Sequence, residues 1–129
     1  MSREIVIVDD HEAVRDALLG MVEEAGYMAV AFSNAMAALT RIAEHPPALV
    51  LLDMMMPEVD GADFLRRLGT LRQARSVPVI VVSAMGHLLQ GMRKSDVNAA
   101  GVAEVLAKPV SYTTLIEAIE RVIGPPDVS

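Results

Sequence analysis

Three observations predict an α/β protein built on a doubly wound, five-stranded parallel sheet with helices on both faces. Short apolar runs recur at residues 4–8, 28–32, 49–52, 79–82 and 104–107. Most of the stretches between them carry apolar residues at helical spacing, so strands and helices alternate. The run Leu49-Val50-Leu51-Leu52 has no polar face at all and is bracketed by Pro46, Pro47 and Pro57. A strand of that kind is buried on both sides, which is the condition of a strand inside a parallel sheet.

The elements follow in order. Ile5-Val6-Ile7-Val8 runs into the pair Asp9-Asp10. From Glu12 to Ala25 the period becomes helical, with Val14, Leu18, Met21, Val22 and Ala25 on one face. Asp10 is the predicted cap and Gly26 the stop. Residues 28–32 form the second strand, and Ser33 is expected to cap a helix through Leu39, Ile42 and Ala43 that ends at His45-Pro46-Pro47. The third strand ends at Asp53. A loop then leads to a helix over 62–71, with Phe64, Leu65 and Leu68 turned inward. Val79-Ile80-Val81-Val82 runs into Ser83, and residues 104–107 run into Lys108-Pro109. Ser111 caps the last helix, whose buried face is Leu115, Ala118, Ile119 and Val122, and Gly124-Pro125-Pro126 closes it. Between Ser83 and Glu104 the periodicity of Leu88, Leu89, Met92 and Val97 is interrupted by Gly86, Gly91 and Gly101. A crossover helix is expected there, because two parallel strands need one.

Composition removes several function classes. The 129 residues are one domain's length, and 53% hydrophobic with 22% charged residues is the make-up of a chain that folds. No apolar run approaches the roughly 18 residues of a membrane span, and Arg3-Glu4 does not begin a signal peptide, so a soluble, cytoplasmic protein is expected. The absence of cysteine excludes disulfides, zinc ribbons and thiol chemistry. A net charge of −6 argues against direct nucleic-acid binding.

The polar residues at the strand ends carry the chemistry. Asp9 and Asp10, Asp53, Ser83 and Lys108 directly follow the first, third, fourth and fifth runs. In a parallel sheet these ends share one edge, where open α/β sheets place their sites. Three clustered carboxylates repel one another, and at least one would keep its proton unless a cation intervened. Mg²⁺ suits such a set, taking one or two carboxylates together with water and phosphate oxygens. A compact lysine ammonium and a serine hydroxyl can hold phosphoryl oxygens. An aspartate beside them can act as a nucleophile toward phosphorus, since phosphoryl transfer asks mainly for positioning and charge neutralisation.

Asp9-Asp10, the segment DMMMPEVDG from Asp53 to Gly61, Ser83-Ala84 and Lys108-Pro109 together resemble the receiver domain of bacterial two-component response regulators, of the chemotaxis-regulator kind. The likeness covers essentially the whole chain. It implies a flavodoxin-like sheet of order 2-1-3-4-5, with a receiver over residues 1–124 and a tail or linker stump at 125–129. It implies that Asp53 accepts a phosphoryl group from a histidine kinase or phosphotransfer protein in a Mg²⁺-dependent step. Asp10, Asp53 and the Met55 carbonyl would ligate the ion, Asp9 would act mainly through bound water, and Ser83 and Lys108 would bind phosphoryl oxygens. A cis Lys108-Pro109 bond is also implied. The switched surface would be the crossover helix, the fifth strand and the last helix, acting on a downstream protein or a linked output domain; dimerisation is left open.

Three departures bear on mechanism. Val105 stands where the family usually has an aromatic ring, the stretch from Ser83 to Lys108 is longer than usual, and Met55 and Met85 occupy positions that tune phosphoryl lifetime. Apolar side chains there would not orient an attacking water, so slow self-dephosphorylation is expected. Two other function classes compete. A phosphatase with an aspartyl nucleophile would carry a second acid where Met55 stands. A non-phosphorylated receiver-like interaction module would be expected to have lost an acid or the lysine, and none is lost. A flavin-binding domain of this topology lacks its phosphate-cradling loop after the first strand. Met54 and Met56 read as core filler, Tyr112 as packing at the start of the last helix, and Glu58 and Asp60 as solvated loop acids. His11, His45 and His87 show no ligand spacing and read as exposed histidines, with a place on the rim of the acidic pocket the alternative for His11 and His87.

Overall fold

The computed structural model describes residues 4–53, 61–71, 76–84 and 101–126. Its elements are β1 (Ile5–Val8), α1 (Glu12–Glu24), β2 (Ala29–Phe32), α2 (Ala35–Glu44), β3 (Leu49–Leu52), α3 (Gly61–Thr70), β4 (Val79–Ser83), β5 (Val102–Ala107) and α4 (Tyr112–Ile123). All strand pairs are parallel, in the order β2-β1-β3-β4-β5. The expected crossover helix between β4 and β5 falls largely on 85–100, outside the described residues, as does the segment 54–60.

The apolar runs are buried on both faces because alternate residues serve two separate cores. Val6, Val8, Val50, Leu52, Val79 and Val81 face α2 and α3, where they meet Ala38, Leu39, Ile42, Phe64, Leu65 and Leu68. Their neighbours Ile5, Ile7, Leu49, Leu51, Ile80 and Val82 face α1 and α4, meeting Leu18, Val22, Leu115, Ala118 and Ile119. Each such side chain contributes about 1.5–3 kcal/mol of burial free energy, so the strands beneath the site are its most firmly held part. β1 and β3 run in exact step, Ile5 opposite Leu49 and Val8 opposite Leu52. Asp9 and Asp53 therefore leave the sheet side by side.

Several boundaries and caps differ from the sequence reading. β5 begins at Val102 rather than Glu104, because the register slips between Val79↔Val102 and Ile80↔Glu104. Ala103 is the extra residue, and a bulge there breaks the period-two pattern that would have marked the strand. β2 begins at Ala29, and Met28 is left exposed. Asn34, not Ser33, caps α2: its side chain accepts from the Ala37 N–H at 3.0 Å. At α1 the residue in the cap position is His11, with no side-chain cap bond of its own, and Asp10 does not cap. Ser111 caps α4 as expected, accepting from the Thr114 N–H at 3.1 Å.

The opposite end of the sheet is closed by the chain's two ends of helix. Gly26 follows α1 at φ +104°, a backbone that favours glycine, and a Cβ there would lie 3.3 Å from Pro126. The Tyr27 hydroxyl donates to the Gly124 carbonyl at 2.8 Å, tying the end of α4 to the turn after α1. Among the described residues no helix is long and apolar enough to cross a membrane.

Candidate functional site

The site is assembled by strand ends. Asp9 follows β1, with its N–H bonded to the Phe32 carbonyl of β2 at 3.1 Å; Asp53 follows β3, with its N–H bonded to the Val8 carbonyl at 3.0 Å. Lys108 follows β5 and its N–H donates to the Ser83 carbonyl at 2.9 Å, so β4 and β5 deliver serine and lysine together. The Lys108-Pro109 peptide is cis. Asp9, Asp53 and Ser83 are the buried polar residues among those described, and all three lie at this edge.

Charge is unevenly matched here. Lys108 Nζ bridges two carboxylates, 2.8 Å from Asp9 Oδ2 and 3.5 Å from Asp53 Oδ2. The ammonium is itself largely withdrawn from water, with a side chain 15% exposed. Asp9 Oδ1 accepts the His11 N–H at 2.9 Å, so both oxygens of that carboxylate are engaged. Arg15 reaches back to the Asp9 carbonyl at 3.1 Å, pinning the first turn of α1 under the site. Asp10 is different: its Oδ1 is buried and has no hydrogen-bond partner among the described residues. One lysine cannot neutralise three acids, and an orphaned carboxylate oxygen beside two others is the donor set that a hard divalent ion satisfies. Ligand atoms of Asp9, Asp10, His11 and Asp53 all lie within 4.8 Å of one another. The residues present fit a metal.

Of the sequence-predicted residues, Asp9, Asp10, Asp53 and Lys108 converge in one cluster, and Ser83 stands at its edge, buried at the end of β4 opposite Ala107. The Met55 carbonyl and Met85 lie outside the described residues. Val105 is half-buried against the α2–α3 core. Tyr112 opens α4 and is 40% exposed, so it does not pack as expected. His11 satisfies both sequence readings, exposed and at the rim of the acidic pocket. Its ring is 65% exposed, yet Nδ1 lies 3.2 Å from Asp10 Oδ1, 3.5 Å from Asp9 Oδ1 and 4.0 Å from Asp53 Oδ2. Adjacency to an acid pair at a strand-to-helix turn was the available signal.

Comparison with known proteins decides the family. The response regulator receiver domain profile matches residues 5–120, spanning Asp9, Asp10, Asp53, Ser83 and Lys108. The chain belongs to the response regulator receiver domain family. Among curated relatives, the polar-differentiation response regulator DivK of Brucella anthropi is 30% identical over 124 residues, covering 96% of this chain and 98% of that one. Among solved structures, the receiver domain of a sensor histidine kinase from Pseudomonas aeruginosa PAO1, with magnesium coordinated in its active site cleft, superposes with a TM-score of 0.81 at 26% identity, covering 96% of this chain and 99% of that one. The chemotaxis protein CheY4 of Vibrio cholerae shares the fold, with a TM-score of 0.81 at 21% identity over 95% of this chain and 99% of that one. This is a receiver domain of two-component signalling, with an acidic cluster suited to metal binding and to a phosphoacceptor role.

Proposed function

We propose that Asp53 is the phosphoacceptor. One of its carboxylate oxygens attacks the phosphorus of a donor phosphohistidine, forming an O–P bond as the N–P bond breaks and the imidazole leaves. The observation that carries this reading is the Lys108 ammonium held between Asp9 and Asp53 at 2.8 and 3.5 Å. It stands where it can pass from Asp9 to a phosphoryl oxygen on Asp53. Ser83, at the adjoining strand end, is assigned to a second phosphoryl oxygen through its hydroxyl.

Asp10 and Asp53 would hold Mg²⁺ directly, the Met55 carbonyl would complete the protein's share, and Asp9 would act through bound water. When bound, the ion neutralises charge on the transferring group and on the acids around it. The magnesium-bearing Pseudomonas receiver supports this choice of ion. The donor would be a histidine kinase or phosphotransfer protein in the cytoplasm, and the recipient of the signal a downstream protein or linked output domain.

Phosphorylation adds about two negative charges at the edge. Drawing Ser83 and Lys108 toward them would bias the segment after β4 together with β5 and α4. Turning a 1:99 equilibrium into 99:1 requires a differential of about 5.5 kcal/mol. With Met55 and Met85 two residues past Asp53 and Ser83, hydrolysis of the aspartyl phosphate is expected to be slow; a half-life of seconds in saturating Mg²⁺ would contradict that. Acetyl phosphate with Mg²⁺ should add one phosphoryl mass to the wild type and none to Asp53→Asn. Equal labelling of both would refute the assignment of Asp53.

A further inference from the structure

We infer that His11 turns this edge into a three-residue chelate, His11-Asp10-Asp53, selective for borderline-soft divalent ions, and that zinc bound there withholds Asp53 from phosphoryl transfer. The inference rests on the phosphoacceptor reading of Asp53 for its consequence, though not for the binding itself.

The geometry is that of ligands around a common point. His11 Nδ1 lies 3.2 Å from Asp10 Oδ1 and 4.0 Å from Asp53 Oδ2. Neighbouring ligands of a tetrahedral ion bound at about 2.0–2.1 Å are separated by about 3.3–3.4 Å, which those two distances bracket. The nitrogen–oxygen contact is not a hydrogen bond, because Asp10 Oδ1 has no hydrogen-bond partner among the described residues. A cation placed between Nδ1 and that carboxylate oxygen would be ligated by both. Lys108 does not fill that place, since its contacts are to Asp9 and Asp53. The ring remains 65% exposed, so adjusting it onto an ion disturbs no core packing.

Ligand chemistry then sets selectivity. Mg²⁺ takes oxygen ligands and keeps several waters, so it gains nothing from an imidazole. Zinc takes nitrogen and oxygen readily, and imidazole favours it further. Three protein ligands would leave one position for water, with the Asp53 oxygen committed to the metal. A phosphoryl group on the other Asp53 oxygen would then find only that single position at the ion for its oxygens. Magnesium, bound through fewer protein ligands and more waters, leaves the carboxylate's second oxygen and the phosphoryl oxygens room at the ion. The same acids thus serve as a working site with one ion and a closed one with another.

The test is a calorimetric titration of the full chain with ZnCl₂ and, separately, MgCl₂, for wild type, His11→Ala and Asp10→Ala, with long-range ¹H–¹⁵N spectra of the histidine rings. We expect His11→Ala to lose about tenfold or more of zinc affinity while its magnesium affinity stays within about twofold. Zinc should shift the His11 Nδ1 resonance of the wild type, and Asp10→Ala should weaken both ions. Zinc that shifts only His45 or His87, or that binds wild type and His11→Ala alike, would overturn the inference. Zinc should also suppress labelling by acetyl phosphate in wild type more than in His11→Ala; equal suppression would overturn the claimed effect on Asp53. Failure of magnesium-dependent labelling in wild type without zinc would instead count against the phosphoacceptor reading, leaving the chelate to be judged by the titration.

Discussion

Replacing Asp53 by Asn should make the metal-free protein more stable while removing its function. Oxygens of Asp9, Asp10 and Asp53 lie within 4.8 Å of one another. Each pair of charges at that distance repels by about 3.5 kcal/mol at an effective dielectric of about 20. The attraction of Asp53 to Lys108 at 3.5 Å returns nearly 5 kcal/mol on the same scale. Two repulsions against one attraction leave roughly 2 kcal/mol unfavourable to an ionised Asp53, before the cost of burying its charge. Asp10 is 24% exposed, and water screens its share, so we expect a stabilisation of about 1–2 kcal/mol. In a chain of 129 residues that is a Tm rise of about 3–10 °C. The assay is thermal and urea unfolding of both proteins in a chelator and in Mg²⁺. Magnesium at ten times its Kd should add about 1.4 kcal/mol to the wild type and much less to Asp53→Asn. A variant less stable than wild type in chelator, or magnesium stabilising both equally, would refute the electrostatic account of the site.

Two further outcomes test the scaffold. Asn34→Ala and Ser111→Ala each remove a side-chain acceptor from the first turn of a helix, and each should cost about 1 kcal/mol in urea unfolding, with Ser33→Ala near neutral. Gly26→Ala places a Cβ at φ +104° and 3.3 Å from Pro126. It should cost about 1–2 kcal/mol, and Gly20→Ala, with open space around its Cβ, should not destabilise.

The sheet was legible because its physics is local. A strand buried on both faces must be apolar throughout, and runs such as Leu49–Leu52 have no other reading between prolines. The site's acids and lysine were legible for the same reason: parallel strands put their carboxyl ends on one edge, so position along the chain became position in space. Finer features depended on choices the pattern does not make. Ser33 and Asn34 are both competent caps, and only the three-residue spacing to the Ala37 N–H selects Asn34. At α1 Asp10 was competent to cap, but the turn sends it into the cluster and leaves His11 in the cap position. The bulge at Ala103 hid the start of β5 by putting two residues where one was expected. His11 could be placed at the rim of the pocket but not among its ligands, because its partners are one and two residues away in sequence, with the third across the sheet. No repeating ligand spacing betrays such a contact.

The most direct measurement is a crystal structure of the protein with Mg²⁺ and beryllofluoride, which stands in for a phosphoryl group. The account predicts beryllium attached to an Asp53 carboxylate oxygen, the ion on Asp10 and Asp53, and the Lys108 amine within about 3 Å of a fluoride. Lys108 still clasping Asp9, with beryllofluoride absent from Asp53 or attached to another acid, would contradict it.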